Sequence, residues 1–158
     1  MKIRTGLGQD SHRFEAALGK PLKLGGVLFE DERGLEGNSD ADVVLHALCN
    51  ALTGVHGGVV LGPMTDALCA AGVKDGKAYV KEALKHLGAL KLNHVSVSLE
   101  CQQPKIGPKI ADMRASLAEL LGLEMADVAI TATTGEGLTA FGRGEGIQAL
   151  VVVTAVQG

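Results

Sequence analysis

The feature that most constrains this chain is its closing run, IQALVVVTAV at residues 147–156, which is apolar except for Gln148 and Thr154. A strand of that composition has to be buried on both faces or lie against a partner, so the rest of the chain must supply its cover. Cover is available in two helical patterns. KAYVKEALKHL at residues 77–87 puts Tyr79, Val80, Ala83, Leu84 and Leu87 on one side, and IADMRASLAELL at residues 110–121 stops at Gly122. HVSVSL at residues 94–99 alternates as a half-buried strand does, and residues 128–132 give another strand. Shorter strands are expected near residues 22–24 and 27–29. Interleaved helices and strands make this an α/β (α+β) chain.

Two segments carry the polar residues of interest. Residues 2–8 read as a strand ending in glycines, with Asp10, Ser11 and His12 on a polar turn after it. In GLEGNSDADVVLHALCNALTG, Ser39 reads as the N-cap of a helix, with Asp42 three residues on and Asp40 and Asp42 as surface acids near its positive end. Val43, Leu45, His46, Cys49 and Leu52 then form an apolar face, and the helix is expected to stop at Gly54. Residues 55–76 are Gly-rich and weakly periodic, and read as loop with one short helical turn at most.

At 158 residues, without repeat or linker, residues 1–158 read as a single domain able to bury a core without staples. A net charge of −3 and 3% aromatic residues without tryptophan speak against a nucleic-acid partner, which calls for excess Lys and Arg or stacking rings. Cys49, Cys69 and Cys101 are odd in number and widely spaced, so buried free thiols are expected. Polar residues break up MKIRTGLGQDSHRFE, which rules it out as a signal-peptide core, and no stretch nears the roughly 20 apolar residues of a membrane helix. A soluble, cytoplasmic protein with no membrane partner is the expectation.

Asp10, His12 and His46 offer one carboxylate and two imidazoles, a three-ligand set that leaves a fourth position open, as in a catalytic zinc site. Equally, His12 reads as an exposed turn histidine and His46 as a core histidine bonded to a carbonyl. Ser39 and the amides at its helix start could hold an anion or simply cap the helix. Thr133, Thr134, Gly135 and Glu136 follow a strand and offer hydroxyls, amides and a carboxylate, a set suited to a phosphate with a hard cation. Arg143 and Glu145, in GRGEG, make either an anion clamp or a salt-bridged pair at a subunit contact. There is no Ser/His/Asp nucleophile arrangement, Walker loop or G-x-G-x-x-G fingerprint.

Taken in order, G-x-D-S-H, N-S-D-A-D-V-x-L-H-A-L, Q-x-P-K-x-x-P, A-T-T-x-E and F-G-R-G-E-G-I resemble the 2-C-methyl-D-erythritol 2,4-cyclodiphosphate synthase family over nearly the whole chain. The resemblance implies a mixed sheet with helices on one side, assembled as a homotrimer with active sites between neighbouring subunits. It also implies a phosphorus–oxygen lyase of non-mevalonate isoprenoid biosynthesis. Its substrate would be a small-molecule diphosphate with a cytidine moiety, whose 2-phosphate attacks the β-phosphorus and expels CMP. By position, Asp10, His12 and His46 would bind zinc, and Glu136 would hold magnesium or manganese. Lys105, Ala132, Thr133 and Thr134 would line the cytidine-phosphate pocket of the adjoining subunit, Ser39 would meet the other phosphate, and Arg143 and Glu145 would lie near the trimer axis.

The chain departs from the family pattern at three places. Asn38 stands where His is usual, which removes a cation beside the substrate phosphate while keeping a hydrogen-bond donor. VVLGPMTD at residues 59–66 replaces an acidic D-I-G turn and F-P-D-T-D, and Asn50 replaces an acid. These changes cluster on the methylerythritol-phosphate side. They leave an alternative: a diverged paralogue that keeps metal and nucleotide pocket but acts on, or merely binds, another diphosphate.

Overall fold

A computed structural model describes residues 1–58 and 61–158. In chain order the elements are β1 (Lys2–Arg13), β2 (Leu22–Leu24), β3 (Val27–Phe29), α1 (Val43–His56), α2 (Leu61–Ala70) and α3 (Gly76–Leu84). They continue with β4 (Lys91–Glu100), α4 (Ile110–Leu121), β5 (Val128–Thr133) and β6 (Gly146–Gln157). The main sheet runs β1-β6-β4-β5, with β6 antiparallel to both neighbours and β4 parallel to β5; β2 and β3 form a separate hairpin. This is a single α/β domain with a mixed sheet, its helices packed on one face around one apolar core.

The apolar strand β6 does lie in the sheet interior, but only its odd residues face the helices. Ile147, Ala149, Val151, Val153 and Ala155 are fully buried, whereas Leu150 and Val152 are 38% and 37% exposed beside Leu7 at 67% on β1. Across the same face the row continues from Val152 to Ser96 on β4 and Ala129 on β5. The outer face is thus apolar or hydroxyl-bearing along its middle, and one chain leaves it uncovered.

Four local expectations are corrected. First, β1 does not end at its glycines: it pairs with β6 without interruption from Lys2 to Arg13, so Asp10 and His12 lie on a strand rather than a turn. Gly6 and Gly8 mark close helix packing instead, because a Cβ at Gly8 would collide with the Ala47 carbonyl oxygen of α1. Second, Ser39 is not the cap of α1. Asp42 is, its carboxylate accepting from Leu45 N, and Ala41 before it sits at φ 54°, outside helical space. Third, α1 runs past Gly54 to His56 and ends on Gly57 in the left-handed conformation. Fourth, the stretch read as loop contains the ten-residue helix α2. Within the altered VVLGPMTD stretch, Val59 and Val60 lie outside the described residues; Asp66 is exposed on α2.

The cysteines are free as expected, with Cys49 and Cys101 buried and Cys69 half-buried. Asn50, read from the sequence as replacing an acid, donates from Nδ2 to the Gln9 carbonyl at 3.0 Å and so ties α1 to β1, a bond that a carboxylate could not donate.

Candidate functional site

Strand alternation and helix packing together build the central cluster. Residues i and i+2 of a strand share a face, so Asp10 and His12 both point to the helix side of β1. The close seat of α1 on Gly6 and Gly8 brings His46 to meet them. Asp10 Oδ2 lies 2.9 Å from His12 Nε2 and 3.3 Å from His46 Nδ1. All three candidate ligand atoms fall within 4.8 Å of one another, the one such group of three or more among the described residues. His12 is half-buried on a strand rather than exposed on a turn, and both nitrogens of His46 meet side chains, Asp10 and Ser39, rather than a backbone carbonyl.

The donor set fits a divalent metal. Asp10 Oδ2 and His12 Nε2 are buried yet lack any hydrogen-bond partner of acceptable geometry, despite their approach. Atoms that close without bonding each other have the spacing of donors that could share an ion, since tetrahedral bonds of about 2.0–2.1 Å put donors about 3.3 Å apart. The outer nitrogens are anchored. His46 Nε2 lies 3.2 Å from Ser39 Oγ, and His12 has the Glu36 backbone as a further partner, which directs the remaining lone pairs to the centre. Burial pushes the Asp10 carboxyl up, but its contacts with His12 and His46 more than offset this and hold it at about 2. The contact with Asp10 pushes His12 up in turn, against the effect of burial.

The acids read as surface residues are structural. Asp42 is fully buried; Oδ1 accepts from Gly25 N at 2.9 Å and Leu45 N at 3.1 Å, and Oδ2 from Gly26 N at 2.7 Å. It fastens the β2–β3 turn to the start of α1, and its burial pushes the carboxyl up to about 6 against those three amides. Asp40 accepts from Asp42 N and Gly76 N. Ser39 Oγ accepts from Ala41 N besides meeting His46.

Beside the Asp10, His12 and His46 cluster, Gly37, Asn38 and Ser39 border a groove of about 470 Å³ walled by Lys20, Lys23 and Lys74. No local pattern in the sequence marks these lysines, because they come from the approach to β2, from β2 itself and from the turn before α3.

The second half of the predicted set assembles at the other edge of the sheet. Lys105, Ala132, Thr133 and Thr134 share a groove of about 350 Å³ at the end of β5. Just beyond, Thr133 Oγ1 accepts from Gly135 N, and Thr134 Oγ1 from Glu136 N, which closes a tight turn. Glu136 is exposed and held at φ 50°, ψ 32°, a conformation that costs a non-glycine residue about 1 kcal/mol or more. Its neighbour Gly135 abuts the Glu100 carboxylate, which accepts from Thr139. Arg143 Nε lies 3.1 Å from Glu145 Oε2, and Arg13 reaches the other oxygen at 3.5 Å, all three side chains being exposed. The structure therefore gathers the metal-type ligands and the β5-end residues into two clusters, not one, while Arg143 and Glu145 lie back at the end of β1 beside Arg13. β1 and β5 are separated by two strands, roughly 14 Å at about 4.8 Å per spacing.

Comparison with known proteins adds the remaining argument. The YgbB family pattern matches residues 3–156. The 2-C-methyl-D-erythritol 2,4-cyclodiphosphate synthase of Chlamydia muridarum is 46% identical over 157 residues, covering 98% of this chain and 88% of that protein. The Chlamydia felis synthase is 43% identical, over 98% and 89%. Among solved structures, a 2C-methyl-D-erythritol-2,4-cyclodiphosphate synthase in its CDP-bound form superposes with a TM-score of 0.85 at 33% identity, covering 97% of this chain and all of that one. The bifunctional IspDF of Campylobacter jejuni gives a TM-score of 0.86 at 30% identity, covering 98% of this chain and 42% of that protein. With both the residue pattern and the fold matched over nearly its full length, this chain belongs to the YgbB family, that of the 2-C-methyl-D-erythritol 2,4-cyclodiphosphate synthases, and is an enzyme of that lyase class.

Proposed function

We propose that the chain converts 4-diphosphocytidyl-2-C-methyl-D-erythritol 2-phosphate into 2-C-methyl-D-erythritol 2,4-cyclodiphosphate and CMP, as a metal-dependent step of non-mevalonate isoprenoid biosynthesis. The observation that carries this reading is the convergence of Asp10, His12 and His46 with buried atoms that have no other partner. Zinc held there would supply Lewis-acid polarisation of a phosphoryl oxygen. Glu136 offers a single exposed carboxylate, the arrangement in which magnesium or manganese is shared with substrate phosphates.

The protein's own task is to hold two mutually repelling phosphates in line, for which no side-chain nucleophile is needed. Ser39 and Asn38 face the attacking phosphate, while Lys105, Ala132, Thr133 and Thr134 receive the cytidine end. These two groups stand on opposite edges of one sheet, so a complete site combines the β1 edge of one subunit with the β5 edge of the next. A homotrimer packed through the uncovered outer face, with Arg143 and Glu145 near its axis, meets that need. No helix among the described residues is long and apolar enough to cross a membrane, in keeping with a cytoplasmic enzyme.

The test is incubation of zinc-loaded protein with the substrate and Mg²⁺, followed by phosphorus NMR. Cyclic diphosphate appearing with stoichiometric CMP is expected. His46→Ala should weaken zinc binding by more than about 100-fold, since losing a direct ligand costs more than losing a supporting contact; unchanged zinc content would refute the ligand set. Asn38 and the altered residues 59–66 favour a second reading, the diverged paralogue, which CMP binding without product would select.

A further inference from the structure

We infer that Lys20, Lys23 and Lys74 form an anion-binding wall beside the metal centre that holds the phosphate-monoester end of the substrate; this rests on the proposed function.

The three ammonium groups come from separate segments yet border the same groove of about 470 Å³, and among the described residues none has a carboxylate within 4.0 Å. Three unpaired cations round one concavity repel each other and focus a positive field into it, an arrangement that an anionic guest relieves. Two carboxylates also border the groove, Glu15 and Asp40, so the three lysines leave an excess of one positive charge there; both oxygens of Asp40 are engaged by the Asp42 and Gly76 amides. Lys20 is positioned rather than loose: its Nζ donates to the Gly37 carbonyl at 3.1 Å, and Gly37 in turn packs against the His12 ring. The wall therefore adjoins the metal cluster directly.

The chemistry of Asn38 points the same way. A neutral amide stands where the family pattern has histidine, so this chain lacks that source of charge beside the phosphate. The lysines put positive charge back into the same groove. A dianionic phosphate monoester, attached to a small polyol, matches both the charge and the size of the space.

The test uses full-length, metal-loaded protein carrying Lys23→Met or Lys74→Met, with Lys85→Met as a remote control and Lys23→Arg as the charge-keeping variant. Initial rates with the cytidine-diphosphate substrate give KM and kcat, and inorganic phosphate serves as a competing anion. Each Met variant should raise KM by about tenfold, the factor of one charge-assisted contact. Inhibition by phosphate should weaken comparably, with zinc content and CMP affinity unmoved and Lys23→Arg near wild type. Unchanged KM and phosphate inhibition would overturn the wall while leaving the proposed activity intact, as would a loss confined to kcat that Arg fails to rescue. Absence of turnover in the wild type would instead sink the proposed activity. Calorimetric titration with inorganic phosphate would then decide the wall: weaker binding in the Met variants supports it, and equal binding overturns it.

Discussion

The two edges of the sheet are built by different means. At the β1 edge, Asp10, His12 and His46 are fixed by the backbone itself: uninterrupted strand pairing, a helix seated on glycines, and a buried aspartate capping that helix. At the β5 edge, Thr133 to Glu136 are held by side-chain bonds within a short turn, with a glutamate in an unfavourable conformation. The first edge cannot lose its geometry without losing packing, whereas the second can change shape while the core stays intact. Stability and site geometry are thus coupled at one edge and opposed at the other.

The sharpest challenge to that contrast is Gly8→Ala. The added methyl would have to push α1 away from β1, and we expect a stability loss of about 3 kcal/mol or more in urea unfolding, with zinc content falling in parallel. A stable variant retaining its zinc would show that the edge is not fixed by this contact.

Asp42 gives a somewhat smaller effect with a definite sign. Its carboxyl titrates near 6 when folded, against an ordinary value of 3.8, so between these values the unfolded chain loses its proton first. The contribution of Asp42 to stability should therefore fall as pH rises from about 4 through 6, by at most about 3 kcal/mol. Asp42→Asn should flatten that part of the profile, and identical slopes in the two proteins would remove Asp42 from the account.

The smallest effect should have the opposite sign. Glu136→Gly relieves the left-handed backbone and should raise stability by about 1 kcal/mol while lowering turnover at limiting Mg²⁺ and sparing zinc. Calorimetric melting read beside activity would check it; a loss of stability would mean that the β5 edge also is fixed by packing.

Much of the architecture was legible in the sequence, because α4 and β4 to β6 have clear periods and stops. The site was legible in part. The sequence puts Asp10 and His12 on a turn because Gly6, Gly8, Asp10 and His12 all face the helix side of β1, so no apolar alternation marks the strand. SDAD offers several residues able to cap, and only the burial of Asp42 and the conformation of Ala41 reveal which one does. LGPMTDALCA mixes Gly and Pro with a weak period, and α2 stays hidden until its neighbours give it a surface. The closing strand reveals that it needs cover on both faces; that only one face receives it from this chain is a tertiary fact.

The separation of the two clusters across four strands has a genetic corollary. If each site draws on the β1 edge of one copy and the β5 edge of another, an allele spoiled in His46 still lends a sound β5 edge to its neighbour. One spoiled in Thr134 lends a sound β1 edge. Two alleles, each inactive alone, would then restore a share of working sites when expressed together, and the strand order β1-β6-β4-β5 would make intragenic complementation a property of the fold.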